Sequence, residues 1–200
     1  EPNILPREPN DREEARMLSS IVPVVMEQNL FEDTYCDAMW QKLKTGTGVY
    51  KVTWDADKLG GLGDISIERV DLLNLFWEPG VRDIQDSRYF YHTALHDNDI
   101  LEQRYPQLEG KLKGSPFTAT KFLYDDAVDT SGKTTVIDCY YKLWQDGRTV
   151  LHYVKYVGDT VLYATEDEGK PLYDHGLYPF VFDSLFPVEG SPCGYGFVDL

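Results

Sequence analysis

Leu43-Lys44-Thr45-Gly46-Thr47-Gly48-Val49-Tyr50-Lys51-Val52-Thr53-Trp54-Asp55 is the stretch on which the fold turns. Upstream of Gly46, apolar residues recur at steps of three and four. Downstream of Gly48, β-branched and aromatic residues take over. The stretch therefore reads as a helix that stops and a strand that starts. Lys42 and Lys44 favour the negative end of the helix dipole, and Gly46 suits a C-terminal cap.

Working backwards, Phe31, Tyr35, Ala38, Met39 and Leu43 form one apolar stripe, which predicts a helix over 30–45. Ala15, Leu18, Val22, Val25 and Met26 form another, which predicts a helix over 11–29 with Glu13 and Glu14 in its first turns. Pro23 is expected to kink or break that helix one turn back. Residues 1–10 carry Pro2, Pro6 and Pro9 and read as an extended arm.

Working forwards, Val49, Tyr50, Val52 and Trp54 face Ile65, Ile67 and Val70 across the Gly60-Gly61-Leu62-Gly63-Asp64 stretch, which predicts a hairpin. A strand is expected from Arg88 to Leu95. Asp97 then caps a short helix through about Tyr105, stopped by Pro106. Residues 107–133 read as loop-rich. Strands over 134–144, 149–157 and 160–165 follow, joined by Asp146-Gly147 and Gly158-Asp159, which suit type I′ and II′ turns. The expectation is an α+β fold, its helix pair packed on a mainly antiparallel sheet that contains this meander. The pattern shows no internal repeat and no second core. The predicted organisation is an arm at 1–10, a helical pair at 11–45 and a β-rich domain at 46–200.

Composition narrows the function. The chain has 200 residues, 34 acidic against 19 basic, for a formal net charge of −15. A surface that grips DNA clusters Lys and Arg against phosphates, and no such run exists here. The excess acid also keeps copies of a soluble chain apart. The 14 tyrosines favour pleated surfaces and interfaces. Cys36, Cys139 and Cys193 are far apart and odd in number, so they read as buried, reduced thiols rather than a disulfide or zinc framework. There is no signal peptide pattern and no apolar run of membrane-spanning length. The start at Glu1 and the stop after Gly-Tyr-Gly-Phe-Val-Asp-Leu suggest a piece of a longer protein.

Four patterns invite a chemical reading, and each has a simpler one. Gly46-Thr47-Gly48 follows a helix and opens a strand, the reverse of a phosphate loop, so it reads as a cap. Asp55-Ala56-Asp57-Lys58-Leu59-Gly60 begins like a calcium loop, but Leu59 and Ser66 stand where ligands belong. His92 and His96, on one strand, would lie about 13 Å apart, too far to share a metal. Gly190-Ser191-Pro192-Cys193-Gly194 lacks the strand-to-helix setting of a nucleophile elbow and reads as a turn. The expectation is no catalytic residue, no cofactor-binding residue, no metal site and no cofactor.

The order of these segments resembles the portal proteins of tailed bacteriophages, in their N-terminal wing region. The opening stretch is similar to a junction in which a helix ends in G-x-G and enters a strand of the type V-x-K-V-x-W-D. Gly63-Asp64-Ile65-Ser66-Ile67-Glu68-Arg69-Val70-Asp71, then Asn74-Leu75-Phe76-Trp77-Glu78-Pro79, then Ser87-Arg88-Tyr89, resembles the portal pattern G-D-I-x-I-x-x-V-D-P-x-N, a hydrophobic-x-x-D-P and S-R-Y. Leu72 stands where Pro is usual and Glu78 where Asp is usual. Arg104-Tyr105-Pro106, Val136 to Lys142 and His175 to Val181 fall in the expected order. Gly194-Tyr195-Gly196-Phe197-Val198-Asp199-Leu200 resembles Y-G-x-G-x-x-D-L, which in that family leads into a long stem helix.

The resemblance implies a non-enzymatic structural segment of a ring, usually dodecameric, at the capsid portal vertex of the virion. DNA passes through such a ring without sequence-specific binding. The ring docks terminase, scaffold, capsid and head-completion proteins, and it assembles in the bacterial host cytoplasm with no membrane contact. A free-standing β-rich virion or adhesion module is the alternative, and an acidic hydrolase with a carboxylate pair is a third reading.

Overall fold

Gly46 has φ 84° and donates its N–H to Lys42 O, which closes helix α2 (Phe31–Thr45) in the left-handed conformation that glycine adopts without steric cost. Strand β1 (Thr47–Asp55) starts at the next residue. The computed structural model that shows this describes residues 4–112 and 132–199. Helix takes 31% of the chain and strand 37%, in separate runs rather than alternation, so the fold is α+β as expected.

The chain forms two compact units, where the sequence pattern showed no second core. The first comprises 1–70, 179–187 and 193–200, and the second 71–178 and 188–192. In the first, helix α1 (Arg12–Gln28) leads to α2, then β1, a single helical turn α3 (Lys58–Gly61) and β2 (Asp64–Val70). β1 and β2 form the predicted hairpin, with Val49 opposite Val70 and Trp54 opposite Ile65. β8 (Phe180–Ser184) returns to the other side of β1 with Lys51 opposite Phe180, so the sheet order is β2-β1-β8. Helix α2 lies on β1 and β2. Gly48 permits the close approach, because a Cβ there would stand 2.9 Å from Ala38 O. Ala38, Val49, Val70 and Phe180 are the buried centre of this layer. A two-residue ladder, β9 (Phe186–Pro187) with β10 (Gly194–Tyr195), completes the unit.

The second unit is a five-stranded antiparallel sheet, β3-β4-β5-β6-β7: Leu75–Trp77, Tyr89–Asp97, Lys133–Gln145, Arg148–Val157 and Thr160–Ala164. The meander is present, with Asp146 and Gly147 at φ 51° and 79° as a type I′ turn requires. It does not lie in the sheet beneath the helices, which is a correction to the expectation. Strand β4, not the helix pair, supplies its neighbour. One face of this sheet buries Phe90, Tyr140 and Leu151, while α4 (Asn98–Arg104) covers Val136 and Val157 with Leu101.

Three local expectations also change. Helix α1 continues through Pro23, so of the kink or break expected there no break is present. A proline removes one amide and crowds one carbonyl, at a local cost of about 3 kcal/mol, and the turns on either side stay helical. Cys36 is exposed and Cys139 and Cys193 are half-buried, so none has the full burial expected; the inward side of α2 is at Ala38, and Cys36 points elsewhere. Asp97 stands at the α4 N-cap, but its carboxylate bonds Lys133 Nζ at 2.5 Å instead of capping. A 3-10 turn at Pro106–Leu108 follows Tyr105. Most of the loop-rich stretch predicted over 107–133 lies outside the described residues.

Candidate functional site: glycine junction and polar latches

Three glycines meet where α2 ends. A Cβ on Gly46 would stand 2.1 Å from Gly194 O, one on Gly194 2.8 Å from Gly46 O, and one on Gly196 2.2 Å from Lys44 O. Only glycine lets three backbones approach this closely. Hydrogen bonds then fix the register. Gly194 N–H donates to Thr47 Oγ1 at 2.9 Å, and Phe197 N–H donates to Leu43 O at 2.8 Å, satisfying a carbonyl that the helix end leaves open. Asp199 accepts from Gly196 N–H at 2.8 Å, which curls the segment on itself. Leu185 N–H donates to Gly46 O, and Lys42 pairs with Asp183 at 2.7 Å, so β8 and the helix end are held from both sides.

A second latch was invisible in the sequence. Asn29, in the turn between α1 and α2, donates Nδ2 to Ile65 O at 3.0 Å and accepts from Ile67 N–H at 3.1 Å. Its amide thus pairs with the edge strand β2 as a neighbouring strand would. Lys58 Nζ bonds Asn29 Oδ1 at 2.8 Å and Ile65 O at 3.0 Å. This places Lys58 of the failed calcium pattern in a structural role, while Asp55 accepts from Asp57 N–H in a local turn. At the same turn end of the hairpin, Gly63 at φ 80° lies under the Trp54 indole, 2.5 Å from where its Cβ would stand.

The second unit has its own latch in the Glu78 and Ser87-Arg88-Tyr89 segments. Ser87 is fully buried; its Oγ accepts from Glu78 N–H at 3.1 Å and donates to Tyr89 O at 2.6 Å. Glu78 accepts from Arg88 N–H and pairs with its guanidinium at 2.7 Å. These contacts hold the Glu78 carboxyl below its usual range, the side-chain hydrogen bond to Arg88 being the main cause. The Leu72 departure is mild because Leu72 opens a 3-10 turn capped by Asp71. Proline suits that position equally well. Ser87→Ala should cost about 1–3 kcal/mol by stranding two buried backbone groups. Urea unfolding of the variant checks this, and an unchanged midpoint would show that the latch is dispensable.

The histidine pair lies on β4 as predicted, and His92 faces Asp138 of β5 at 3.3 Å. Asp138 is buried and also accepts from Tyr153 OH at 2.6 Å, with Lys155 Nζ at 3.6 Å. Among the described residues no group of three or more His, Cys, Asp or Glu is placed to hold a metal ion. Gly190 to Cys193 forms a turn in which Ser191 N–H donates to Val188 O. No helix among the described residues is long and apolar enough to cross a membrane.

Interlocked glycines, an amide-paired sheet edge and polar latches fix the local geometry of the chain. The sequence matches the model of the phage P22-like portal protein family over residues 1–171, and the chain belongs to that family. Its role is accordingly structural, in an oligomeric ring associated with the capsid vertex. None of the curated proteins compared with the chain matches it. The matched span holds the helix-to-strand junction, the Asn29 latch and the Glu78-Ser87-Arg88 latch; the partner segment at 194–199 lies beyond it.

Proposed function

We propose that this chain is the wing segment of a portal ring subunit, part of the conduit through which phage DNA is packaged and ejected. The family match carries this reading. In it, residues 1–10 serve as an arm, 11–45 as the helical pair and 46–200 as the β-rich wing. The junction at Gly46, Gly194 and Gly196 fixes the direction in which the chain leaves the wing toward the stem. Terminase and head-completion proteins dock on the assembled ring, scaffold and capsid proteins surround it, and ATP hydrolysis belongs to terminase. The ring assembles in the host cytoplasm. An acidic surface suits a conduit part, since it stands beside DNA without holding it.

The 200-residue chain alone should be monomeric or weakly associated. Stem and crown elements supply much of the lateral contact in this reading, and like charge opposes the remainder, less so as salt rises. Residual association should take the form of open chains or closed rings, because a ring joins unlike patches head to tail. Light scattering across salt concentrations tests this: a stable two-fold dimer at low salt would overturn the portal reading.

A further inference from the structure

We infer that the exposed apolar stripe of α1 is one half of a subunit contact, and that its other half is the aromatic patch at the glycine junction of the next copy. The inference rests on the portal reading and adds to it the identity of the two surfaces.

Met17, Ile21 and Val24 recur at helical spacing with Leu18 beside them, so all four share one side of α1. They are 53%, 52%, 49% and 48% exposed, which is unusual for a run of large aliphatic side chains in mid-helix. The opposite side of the helix is spent on α2, where Ala15 is buried. The stripe is thus not the unit's own core.

The second surface is assembled by the junction. Tyr195 stands opposite Phe186 in the β9–β10 ladder, and the Phe186 and Phe197 rings meet edge to face at 5.9 Å. Phe197 is tied to Leu43, and Lys44 lies 5.4 Å over the Trp40 ring. Trp40, Phe186, Tyr195 and Phe197 are 64%, 41%, 53% and 61% exposed. Four aromatics of about 150–250 Å² each, roughly half uncovered, offer on the order of 400 Å². That is about half of the ~800 Å² per partner in a stable interface, enough for a weak contact that the rest of a ring reinforces.

Charge selects a second copy as the occupant. The chain carries −15 overall, yet α1 itself has Arg12 and Arg16 against Glu13, Glu14 and Glu27. The stripe residues themselves are uncharged and α1 is nearly balanced, so another acidic copy can approach there at small Coulomb cost. Glu13 and Glu14 rim the stripe, and the exposed Lys44 rims the aromatic patch, so unlike surfaces complement each other where like surfaces do not. A head-to-tail pairing of two different patches is the kind that closes a ring.

A test uses the 200-residue chain with Cys36, Cys139 and Cys193 all changed to Ser, so that no native thiol can report. Ile21→Cys and Phe197→Cys are introduced singly and together, with Met17→Cys and Trp40→Cys as a second pair, and all are treated with a short bis-maleimide. Thermal melts monitored by circular dichroism confirm that the variants remain folded. The double variants should give a ladder of dimer, trimer and higher species, and an equimolar mixture of the two single variants should give dimers only. Single variants alone should stay monomeric, as should the cysteine-free background. Dimers from Ile21→Cys alone, or no ladder from either double variant, would overturn the inference. Head-to-tail association in light scattering without these cross-links removes the inference and leaves the portal reading standing. A stable two-fold dimer removes the portal reading itself.

Discussion

Gly46→Ala should lose about 2–5 kcal/mol of stability, a large share of the ~5–15 kcal/mol that holds a domain together. Two costs combine. A non-glycine residue at φ 84° carries left-handed strain of about 1–2 kcal/mol. The added methyl also meets backbone, Gly194 O at 2.1 Å, and overpacking of this kind costs about 1–3 kcal/mol. Two other glycines separate the terms. Gly60 has φ 68° with nothing within 4 Å of its added Cβ, so Gly60→Ala reports strain alone. Gly196 has no positive φ, yet its Cβ would stand 2.2 Å from Lys44 O, so Gly196→Ala reports crowding alone. Urea midpoints should fall most for Gly46, with Gly60 least affected. Equal losses at Gly46 and Gly60 would mean that the junction yields and the close approach is not a constraint.

Asp138→Ala should cost about 3 kcal/mol, because it strands the Tyr153 hydroxyl in the interior and removes the acceptor facing His92 and Lys155. The same environment has a consequence at high pH. Burial, and then the Asp138 charge, push the Tyr153 hydroxyl far above the ordinary tyrosine value. Burial raises Tyr178 too, and it pushes Tyr141 up to about 12 with help from the Glu166 hydrogen bond. A folded pKa above the unfolded one means that these groups stabilise the fold fully below about pH 10 and less as pH rises past it. The stabilisation that these three tyrosines supply should therefore hold to about pH 10 and fall beyond it. Tyrosinate absorbance from the buried rings should appear in step with loss of circular dichroism. Full tyrosine ionisation with the circular dichroism intact would show that the rings are not sealed.

What was legible in the sequence was what neighbours in sequence decide. The Gly46 cap, the Asp146-Gly147 turn and the alternation of the meander all lie within a few residues of the contacts they make, and the helix stripes placed α1 and α2 to within two residues. The break expected at Pro23 is absent, and the end of α1 is held by Asn29 reaching β2. That reach leaves no periodic trace, since one amide does the work of a strand. The return of β8 to β1 is similarly silent: Phe180 to Ser184 reads as any short strand, and nothing in it names Thr47 to Lys51 as partner. The quoted portal motifs did locate the joints. Their reasons, an indole over Gly63 and a buried serine bridging Glu78 to Tyr89, needed the atoms.

The division of the chain into one unit of 1–70 with 179–187 and 193–200, and another of 71–178 with 188–192, bears on how the protein is made. A chain leaving the ribosome has every strand from β3 to β7 in hand once Ala164 has emerged, so the second unit can close on itself early. The first unit cannot. Its β1 waits with one edge open until Phe180 to Ser184 arrive, and the Gly46 turn waits for Gly194 and Gly196. Contacts this distant in sequence form slowly, because the intervening loop entropy is lost before any bond repays it. The nascent helix pair thus stays an unfinished layer until residues 180–196 have emerged, and chaperone dependence and temperature-sensitive lesions should concentrate in this first unit, which begins earlier in sequence and finishes folding later.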